Sequence, residues 1–309
     1  MRFLNYLFFS LLIPVCSDAQ TPAPRDTVRL LMIGNSFSAN ASRFLQDISR
    51  SQDFPLVIGK AEISGAPLNQ HWDSVAVNAS DSTRGRPYNG RSLREIIRQH
   101  KWDVISIQQA SLVSGDVRTY DPFARNLVDF IRLNQPAARI VLHQTWPYRS
   151  DAPFFTRING NVQVKDFRGM WQYSRAAYHS VAYRLGLPVV PVGDAFFITA
   201  TDPVFAFRKD SLFNPAIARH PDLPVNEQYS LHAGYSWDSQ GKLAFDAVHA
   251  NDAGCFLAGL VWFGFLSGQD PGQVSFCPGN VDAGFAAGLR TIASGIFKGN
   301  YRDRLATGN

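Results

Sequence analysis

The sequence has few cysteines and little net charge, and both shortages narrow the class of protein. Three cysteines among 309 residues are too few for a small scaffold stapled by disulfides. The 30 basic and 25 acidic side chains leave a net charge of only +5, spread without a Lys/Arg cluster, so the composition gives nucleic-acid binding no support. Low-complexity tracts and blocks of like charge are absent as well. The remaining composition, 45% hydrophobic and 18% charged, is typical of a folded protein that faces water.

Long apolar runs are also lacking, except near the N-terminus. Arg2 precedes the apolar stretch 3–15, and Ser17 and Ala19 then supply the small residues of a signal-peptidase site. We therefore expect a signal peptide at 1–19 and a mature single domain at 20–309.

Export to the periplasm or the extracellular space follows from that signal. Cys16 offers lipoprotein anchoring as an alternative, but Pro14 and Val15 make a poor lipobox, so simple secretion is favoured. The apolar run 255–266 is too short for a membrane span and fits a buried helix, so no stable membrane insertion is expected after cleavage. Cys255 and Cys277 then remain in a compartment that permits disulfides, and their spacing leaves pairing open.

Short apolar runs alternate with amphipathic segments along most of the chain. Runs that do not alternate in polarity suit parallel strands covered on both faces, and they occupy 28–33, 56–63, 102–107, 139–145 and 187–192. Helical patterns lie between them, one opened by a capping box of Ser92 and Glu95, one by Asp121 and Pro122, and one at 168–185 ended by Gly186. This order predicts an α/β fold, a three-layer α/β/α sandwich around a doubly wound parallel sheet.

The segment 196–242 breaks this rhythm with prolines, aromatics and histidines but no clear period. We interpret it as an irregular insertion over the carboxyl edge of the sheet, where α/β proteins place their ligands.

Two short motifs carry candidate chemistry. Ser36 follows the first strand at a strand-to-helix turn, which exposes its hydroxyl at the carboxyl edge of the sheet, although a serine there is commonly just an N-cap. Asp246 and His249 stand three residues apart before the last long apolar helix, which Asn251 or Asp252 can cap. An imidazole and a carboxylate are the pair that a general base requires, and each motif by itself is weak.

Taken together, the two motifs resemble the SGNH (GDSL-like) hydrolase superfamily, whose nucleophile follows strand one and whose Asp-x-x-His precedes the final helix. The similarity is closest to a secreted bacterial branch found in polysaccharide-degrading Bacteroidetes, and the segments 65–72, 107–111, 143–148 and 189–194 match it too. The resemblance implies an SGNH/flavodoxin-like fold and makes Ser36 the nucleophile, His249 the base and Asp246 its orienting partner.

The resemblance also implies an oxyanion hole, formed by the amides of Ser36 and Gly65. Two positions depart from the superfamily pattern, since Asn35 replaces an aspartate and the third block offers Gln108 and Gln109 where Gly-x-Asn is usual. A glutamine amide can donate as an asparagine does, and we favour Gln109 over Gln108 as the third donor.

Four side chains near the strand ends are candidates for substrate binding by stacking on a sugar ring, with ordinary packing as the alternative: His71, Trp72, Trp146 and Tyr148. The predicted function is a secreted serine esterase that needs no cofactor and no metal, and that cleaves an O-acetyl or similar group from a small-molecule or polysaccharide ester. Its rate should rise with pH through roughly 6 to 7 as His249 loses its proton.

Two rival functions stay open. The same fold could serve a carbohydrate-binding protein with weak or no activity, which the missing Gly-x-Asn favours. A metal-dependent hydrolase could use His232 with Asp246 and His249, although the sequence has no His-x-His or His-Glu-x-x-His pair.

Overall fold

The computed structural model describes residues 26–308, so the predicted signal peptide and Cys16 lie outside the described residues. The strands within that range are β1 (Val28–Gly34), β2 (Leu56–Glu62), β3 (Val104–Ile107), β4 (Arg139–His143), β5 (Arg157–Ile158), β6 (Val162–Gln163), β7 (Val189–Val190), β8 (His232–Trp237) and β9 (Leu243–Ala250). The helices are α1 (Ser36–Ser42), α2 (Leu45–Arg50), α3 (Leu68–Ser80), α4 (Leu93–Ile97), α5 (Phe123–Asn134), α6 (Phe167–Leu185), α7 (Val192–Ala200), α8 (Asp252–Ser267), α9 (Ala283–Lys298) and α10 (Arg302–Thr307).

A five-stranded parallel sheet in the order β2-β1-β3-β4-β7 forms the centre of the molecule. β1 lies in the interior of the sheet, and the chain continues from it outward to β2 and then crosses to β3, β4 and β7. This order reverses direction at β1, so the carboxyl end of β1 is the switch point at which open α/β sheets place ligands. The predicted doubly wound α/β/α sandwich is confirmed.

Helices cover both faces of the sheet, and β1 shows why. Leu30 and Met32 are buried in the hydrophobic cluster that also contains α8, whereas Leu31 and Ile33 are buried in the cluster that contains α5. Because successive strand residues point to opposite faces, a strand buried on both sides must be apolar at every position. The apolar run 255–266 lies in α8, which is buried at most of its positions.

The start and stop signals of three helices behave as the sequence predicts. The capping box of Ser92 and Glu95 is formed at α4, Gly186 adopts a left-handed φ of +66° after α6, and Asn251 caps α8 by accepting from the amide of Gly254. The prediction for α5 is wrong by one residue. Asp121 does not cap that helix, which begins after Pro122, because the Asp121 carboxylate pairs with Arg184 instead.

The predicted irregular insertion is only partly correct. Residues 196–200 continue α7, and residues 232–237 near the end of the segment form β8, which pairs antiparallel in a hairpin with β9 just beyond it. Irregular chain is confined to the stretch between α7 and β8. The sequence analysis did not predict the hairpin, because Gly234 and the polar residues of β8 interrupt its alternation of apolar and polar positions.

Both cysteines within 26–308 are free thiols, Cys255 buried and Cys277 exposed, which answers the open question of their pairing. None of the described helices has the length and apolar character needed to cross a membrane.

Candidate active site

The turn from β1 into α1 contains Asn35 and Ser36 and is called the nucleophile turn below. Ser36 does not cap the helix that follows. Asn35 is the N-cap of α1, since its Oδ1 accepts from the amide of Phe37 at 3.0 Å. The capping function considered for Ser36 is therefore performed by its neighbour. The Ser36 Oγ lies 2.9 Å from Nε2 of His249, a residue 213 positions away in sequence.

His249 and Asp246 lie on β9, the second strand of the hairpin. The Nδ1 of His249 is 2.8 Å from Oδ2 of Asp246, while Oδ1 of Asp246 accepts from the amides of Val248 and His249, each at 2.9 Å. Donation from Nδ1 to the carboxylate leaves Nε2 bare, which is the tautomer that accepts a proton from a serine hydroxyl.

Asp246 and His249 each shift the pKa of the other toward its charged form. Hydrogen bonding to His249 holds the pKa of Asp246 well below its usual range, so the carboxylate stays ionised. The same hydrogen bond to Asp246 raises the pKa of His249 above 6.5. The two side chains are 39% and 43% exposed, so the site is open to solvent.

The loop after β2 brings Gly65 to the nucleophile turn. The amide of Ile63 donates to Gly34 O at 3.0 Å, and the Nδ2 of Asn35 donates to Ala66 O at 3.1 Å, on either side of Gly65. Gly65 itself has a φ of +65°, is exposed, and has no atom within 4 Å of where a Cβ would stand. Its amide and that of Ser36 bond to no group within residues 26–308, so both remain available to an oxyanion.

Gln108 hydrogen-bonds to two residues at the start of α1. Its Oε1 accepts from Ser38 Oγ at 2.5 Å, and its Nε2 donates to Asn35 Oδ1 at 2.7 Å. Gln108 and Asn35 are both buried. Because Asn35 accepts from Gln108 and donates to Ala66 O, it needs both halves of an amide, and the aspartate usual in the superfamily could not donate to that carbonyl. The sequence analysis did not predict this network. Its only sign in the sequence was that Asn35 and Gln108 both depart from the superfamily pattern.

The favoured third donor, Gln109, does not fit that role in this geometry. Its Nε2 donates to the backbone oxygen and hydroxyl of Thr119 at 2.9 and 3.0 Å, and its Oε1 accepts from the amides of Leu68 and Ala110. Gln109 is fully buried, and both of its amide hydrogens are used. Gln109 joins the loops after β2 and β3, and it leaves the amides of Ser36 and Gly65 as the candidate oxyanion donors.

The four residues predicted to bind a sugar ring are mostly packed inside. His71 is fully buried and its Nδ1 bonds to the Tyr88 hydroxyl at 2.9 Å, and burial lowers the pKa of His71 to about 4. Tyr148 is buried and shares a hydrogen bond with Ser111 Oγ. Trp72 is half-buried against the core. The stacking prediction is wrong for the buried side chains, because a covered ring cannot present a face to a ligand.

Trp146 is the clearest of these corrections. Its ring is fully buried and stacked between Phe37 and Phe196, at centroid distances of 4.1 and 4.7 Å. Its Nε1 donates to Val248 O at 3.1 Å. One face of Trp146 therefore packs on Phe37, which follows Ser36, and its indole nitrogen bonds to Val248, which precedes His249. The tryptophan links the two halves of the site without contacting the solvent.

No metal site accompanies this arrangement in the described part of the chain, where no group of three His, Cys, Asp or Glu residues could hold an ion. His232, the third ligand of the metal hypothesis, directs its Nε2 at Pro147 O, 3.0 Å away. The metal-dependent alternative therefore lacks its ligand set at the residues that the sequence suggested.

The fold and the site define a class. A doubly wound sandwich with a serine after its first strand, bonded to an Asp-x-x-His pair before a C-terminal helix, has the SGNH-like architecture that the sequence predicted. Within that class, the chain belongs to the family DUF4886, described as a domain of unknown function, whose model matches residues 29–204. The matched segment includes Ser36, Gly65 and Gln108.

One of the solved structures similar to this chain shares its fold, and two others are less similar. A DUF4886 family protein from Bacteroides uniformis is 21% identical, with a TM-score of 0.67 over 89% of this chain and 96% of that one. A putative GDSL-like lipase from Parabacteroides merdae is 14% identical, with a TM-score of 0.45 over 86% of this chain and 98% of its own. An acetyl xylan esterase is 10% identical, with a TM-score of 0.46 over 77% of this chain and 100% of its own. No curated protein matches the sequence significantly. At 21% identity the likeness to the Bacteroides uniformis protein shows the fold alone, and the chemistry depends on the site.

Proposed function

We propose that the protein is a serine esterase that cleaves a carboxylic ester through an acyl-enzyme on Ser36. The observation that carries this proposal is the continuous line of hydrogen bonds from Ser36 Oγ through His249 to Asp246, at 2.9 and 2.8 Å. Three side chains from opposite ends of the chain form the geometry of a nucleophile, a base and an orienting carboxylate.

Each residue has a defined step in this reaction. His249 Nε2 removes the hydroxyl proton as Ser36 Oγ attacks the ester carbonyl, and it then gives the proton to the departing alcohol. A water molecule repeats the sequence on the acyl-enzyme, with His249 again as base, and releases the acid. Asp246 holds the ring in the required tautomer and stabilises the imidazolium that forms in each half-reaction.

The negative charge on the carbonyl oxygen would be stabilised by the amides of Ser36 and Gly65. Backbone donors held by a rigid turn need no reorganisation during the reaction, and each is worth about 10² to 10³ in kcat in well-studied cases. The hydrogen bonds of Asn35 supply that rigidity by joining the turn to the Gly65 loop.

The substrate class that we propose is an acyl group on a carbohydrate outside the cell or in the periplasm. The exposure of Asp246 and His249 supports a large alcohol component, because an open site admits an acyl group that is attached to a polymer. Export rests on the signal-like residues 1–19 of the sequence.

The decisive experiment compares wild type with Ser36→Ala and with Ser42→Ala as the matched control. Ser42 lies in the same helix, and its hydroxyl bonds only to backbone oxygens of that helix. Hydrolysis of p-nitrophenyl acetate, and labelling by a fluorophosphonate followed by intact mass, should persist in Ser42→Ala and vanish in Ser36→Ala. Equal hydrolysis by folded wild type and folded Ser36→Ala would remove Ser36 from the mechanism.

A second candidate function is carbohydrate binding without catalysis. It is favoured by one observation, the commitment of Gln109 to Thr119, which leaves the oxyanion without a side-chain donor. A folded wild type that neither reacts with the fluorophosphonate nor hydrolyses the ester would leave this candidate in front.

A further inference from the structure

A cavity of about 140 Å³ lies between the loop after β4, the ends of α6 and α7, and the segment before β8. Phe196 in its wall stacks on Trp146, whose other face packs on Phe37 beside Ser36. This aromatic stack lies between the cavity and the nucleophile. The remaining wall is largely apolar and includes Phe167, Phe207, Tyr229 and Leu231.

Most polar side chains in the wall of the cavity are hydrogen-bonded to other groups of the protein. The three guanidinium nitrogens of Arg149 donate to Asp151 and Glu227, while the Tyr148 hydroxyl bonds to Ser111 Oγ. Thr199 donates to a carbonyl of its own helix. Arg149 is also covered by the rings of Phe207 and Phe245, so its charge is neutralised and shielded.

Among the buried polar side chains of the wall, His232 is the exception. Its Nε2 faces the carbonyl oxygen of Pro147 at 3.0 Å, so that nitrogen carries the hydrogen and Nδ1 is a bare acceptor. Among residues 26–308, no group donates to Nδ1, and the side chain is only 7% exposed. Burial lowers the pKa of His232 to about 4, so the ring remains neutral at physiological pH.

We propose that this cavity, the His232 cavity, binds a small neutral ring compound that carries one hydroxyl, with the hydroxyl donating to His232 Nδ1. The size supports a single ring, because an apolar cavity of about 150 Å³ in another protein holds benzene. The apolar wall and the neutralised Arg149 exclude a charged ligand, which would lose its hydration without gaining a partner. The unused acceptor selects a donor over a plain hydrocarbon.

This site is separate from the proposed esterase reaction and does not depend on it. The probes that test it contain no ester, so Ser36 takes no part. Failure of the esterase proposal would leave binding at the His232 cavity unchanged, and the reverse also holds.

The test uses the whole protein with phenol and benzene as a matched pair, measured by titration calorimetry. Phenol should bind about five to ten times more tightly than benzene, the value of one ordinary hydrogen bond. Fluorobenzene has a ring of the same size and a polar bond but no hydroxyl hydrogen. It should therefore bind only as well as benzene, because it has nothing to donate to His232 Nδ1.

The location is tested by Ala200→Phe, which fills the cavity, with the exposed Ala287→Phe as its control. Ala200→Phe should abolish binding of both probes and Ala287→Phe should not. Should Ala200→Phe fail to fold, the nitrogen resonance of His232 Nδ1 in wild type decides, since phenol must shift it and benzene must not. Absent binding, equal affinities for the two probes, binding that survives in folded Ala200→Phe, or an unmoved resonance would each overturn the proposal.

Discussion

Gly65 is the residue whose backbone conformation matters most to the proposed oxyanion site. Its left-handed φ of +65° costs any other residue about 1 to 2 kcal/mol, although a Cβ there meets nothing. Gly65→Ala should therefore lower the free energy of unfolding by about that amount, and should reduce kcat by about tenfold or more as the amide moves. Gly90 is the matched control, with a φ of +77° and equally open space.

Gly90→Ala should lose the same stability in urea unfolding and keep full activity on p-nitrophenyl acetate. If both alanine variants keep full activity, Gly65 has no role in stabilising the oxyanion.

The pH dependence of the reaction is also decided by single side chains. His249 must be neutral to act as a base, and Asp246 raises the pKa of His249 above 6.5, so kcat/KM should rise with pH through a midpoint above that value and then level off. The hydrogen bond to Asp246 thus shifts the expected midpoint to higher pH than that of a free imidazole. NMR titration of the His249 ring in Ser36→Ala measures the same group directly.

Asp246→Asn removes the charge that favours the imidazolium, so the pKa of His249 should fall in that variant. An unchanged pKa would show that Asp246 does not set the protonation of the base.

At the scale of elements, Trp146 joins the nucleophile turn to β9. Trp146→Phe keeps an aromatic ring between Phe37 and Phe196 but removes the donor to Val248 O. Leaving that carbonyl unpaired should cost about 1 to 3 kcal/mol of stability. We expect kcat to fall by about tenfold while KM changes little, because the ring positions the Ser36 and His249 elements and does not contact substrate.

Trp171 provides the control, since it is also buried, stacks on Phe197 at 3.7 Å and donates through Nε1, in its case to Asp194. Trp171→Phe should destabilise the protein to a similar degree and leave kcat unchanged. Equal losses of kcat in the two variants would mean that the effect is general loosening of the core.

At the scale of the whole molecule, Arg149 ties the hairpin and the irregular segment to the sheet. Its side chain is 1% exposed and bonds to Asp151 and Glu227, and its amide donates to Ala247 O on β9. Arg149→Met would leave two partly buried carboxylates without their partner. The expected loss of stability is about 3 to 5 kcal/mol, typical of breaking a buried ion pair from one side.

Arg50→Met is the matched control, because Arg50 pairs with Asp47 at 2.9 Å but is 76% exposed. Urea unfolding should detect no change in that variant. A similarly small effect of Arg149→Met would show that the hairpin is held by its apolar contacts alone.

The sequence by itself determined the layered α/β/α fold, because short apolar runs that recur between amphipathic helical segments fit parallel strands covered on both faces. It also determined the helix boundaries at Ser92 and Gly186, and it narrowed the cap of α8 to Asn251 or Asp252, since capping is local chemistry. The candidate residues Ser36, Asp246 and His249 were predicted from the order of their motifs along the chain. That order can be seen in the sequence without any knowledge of the fold.

Only the tertiary structure decided which side chains are free to act. Gln109 and Trp146 have the residue types of a donor and a stacking platform, but hydrogen bonds to Thr119 and Val248 commit them to the interior. The Ser36–His249 hydrogen bond and the Asn35–Gln108 bond join segments far apart in sequence. The physical reason is that burial and hydrogen-bond commitment are properties of neighbours in space, and residue type alone does not specify those neighbours.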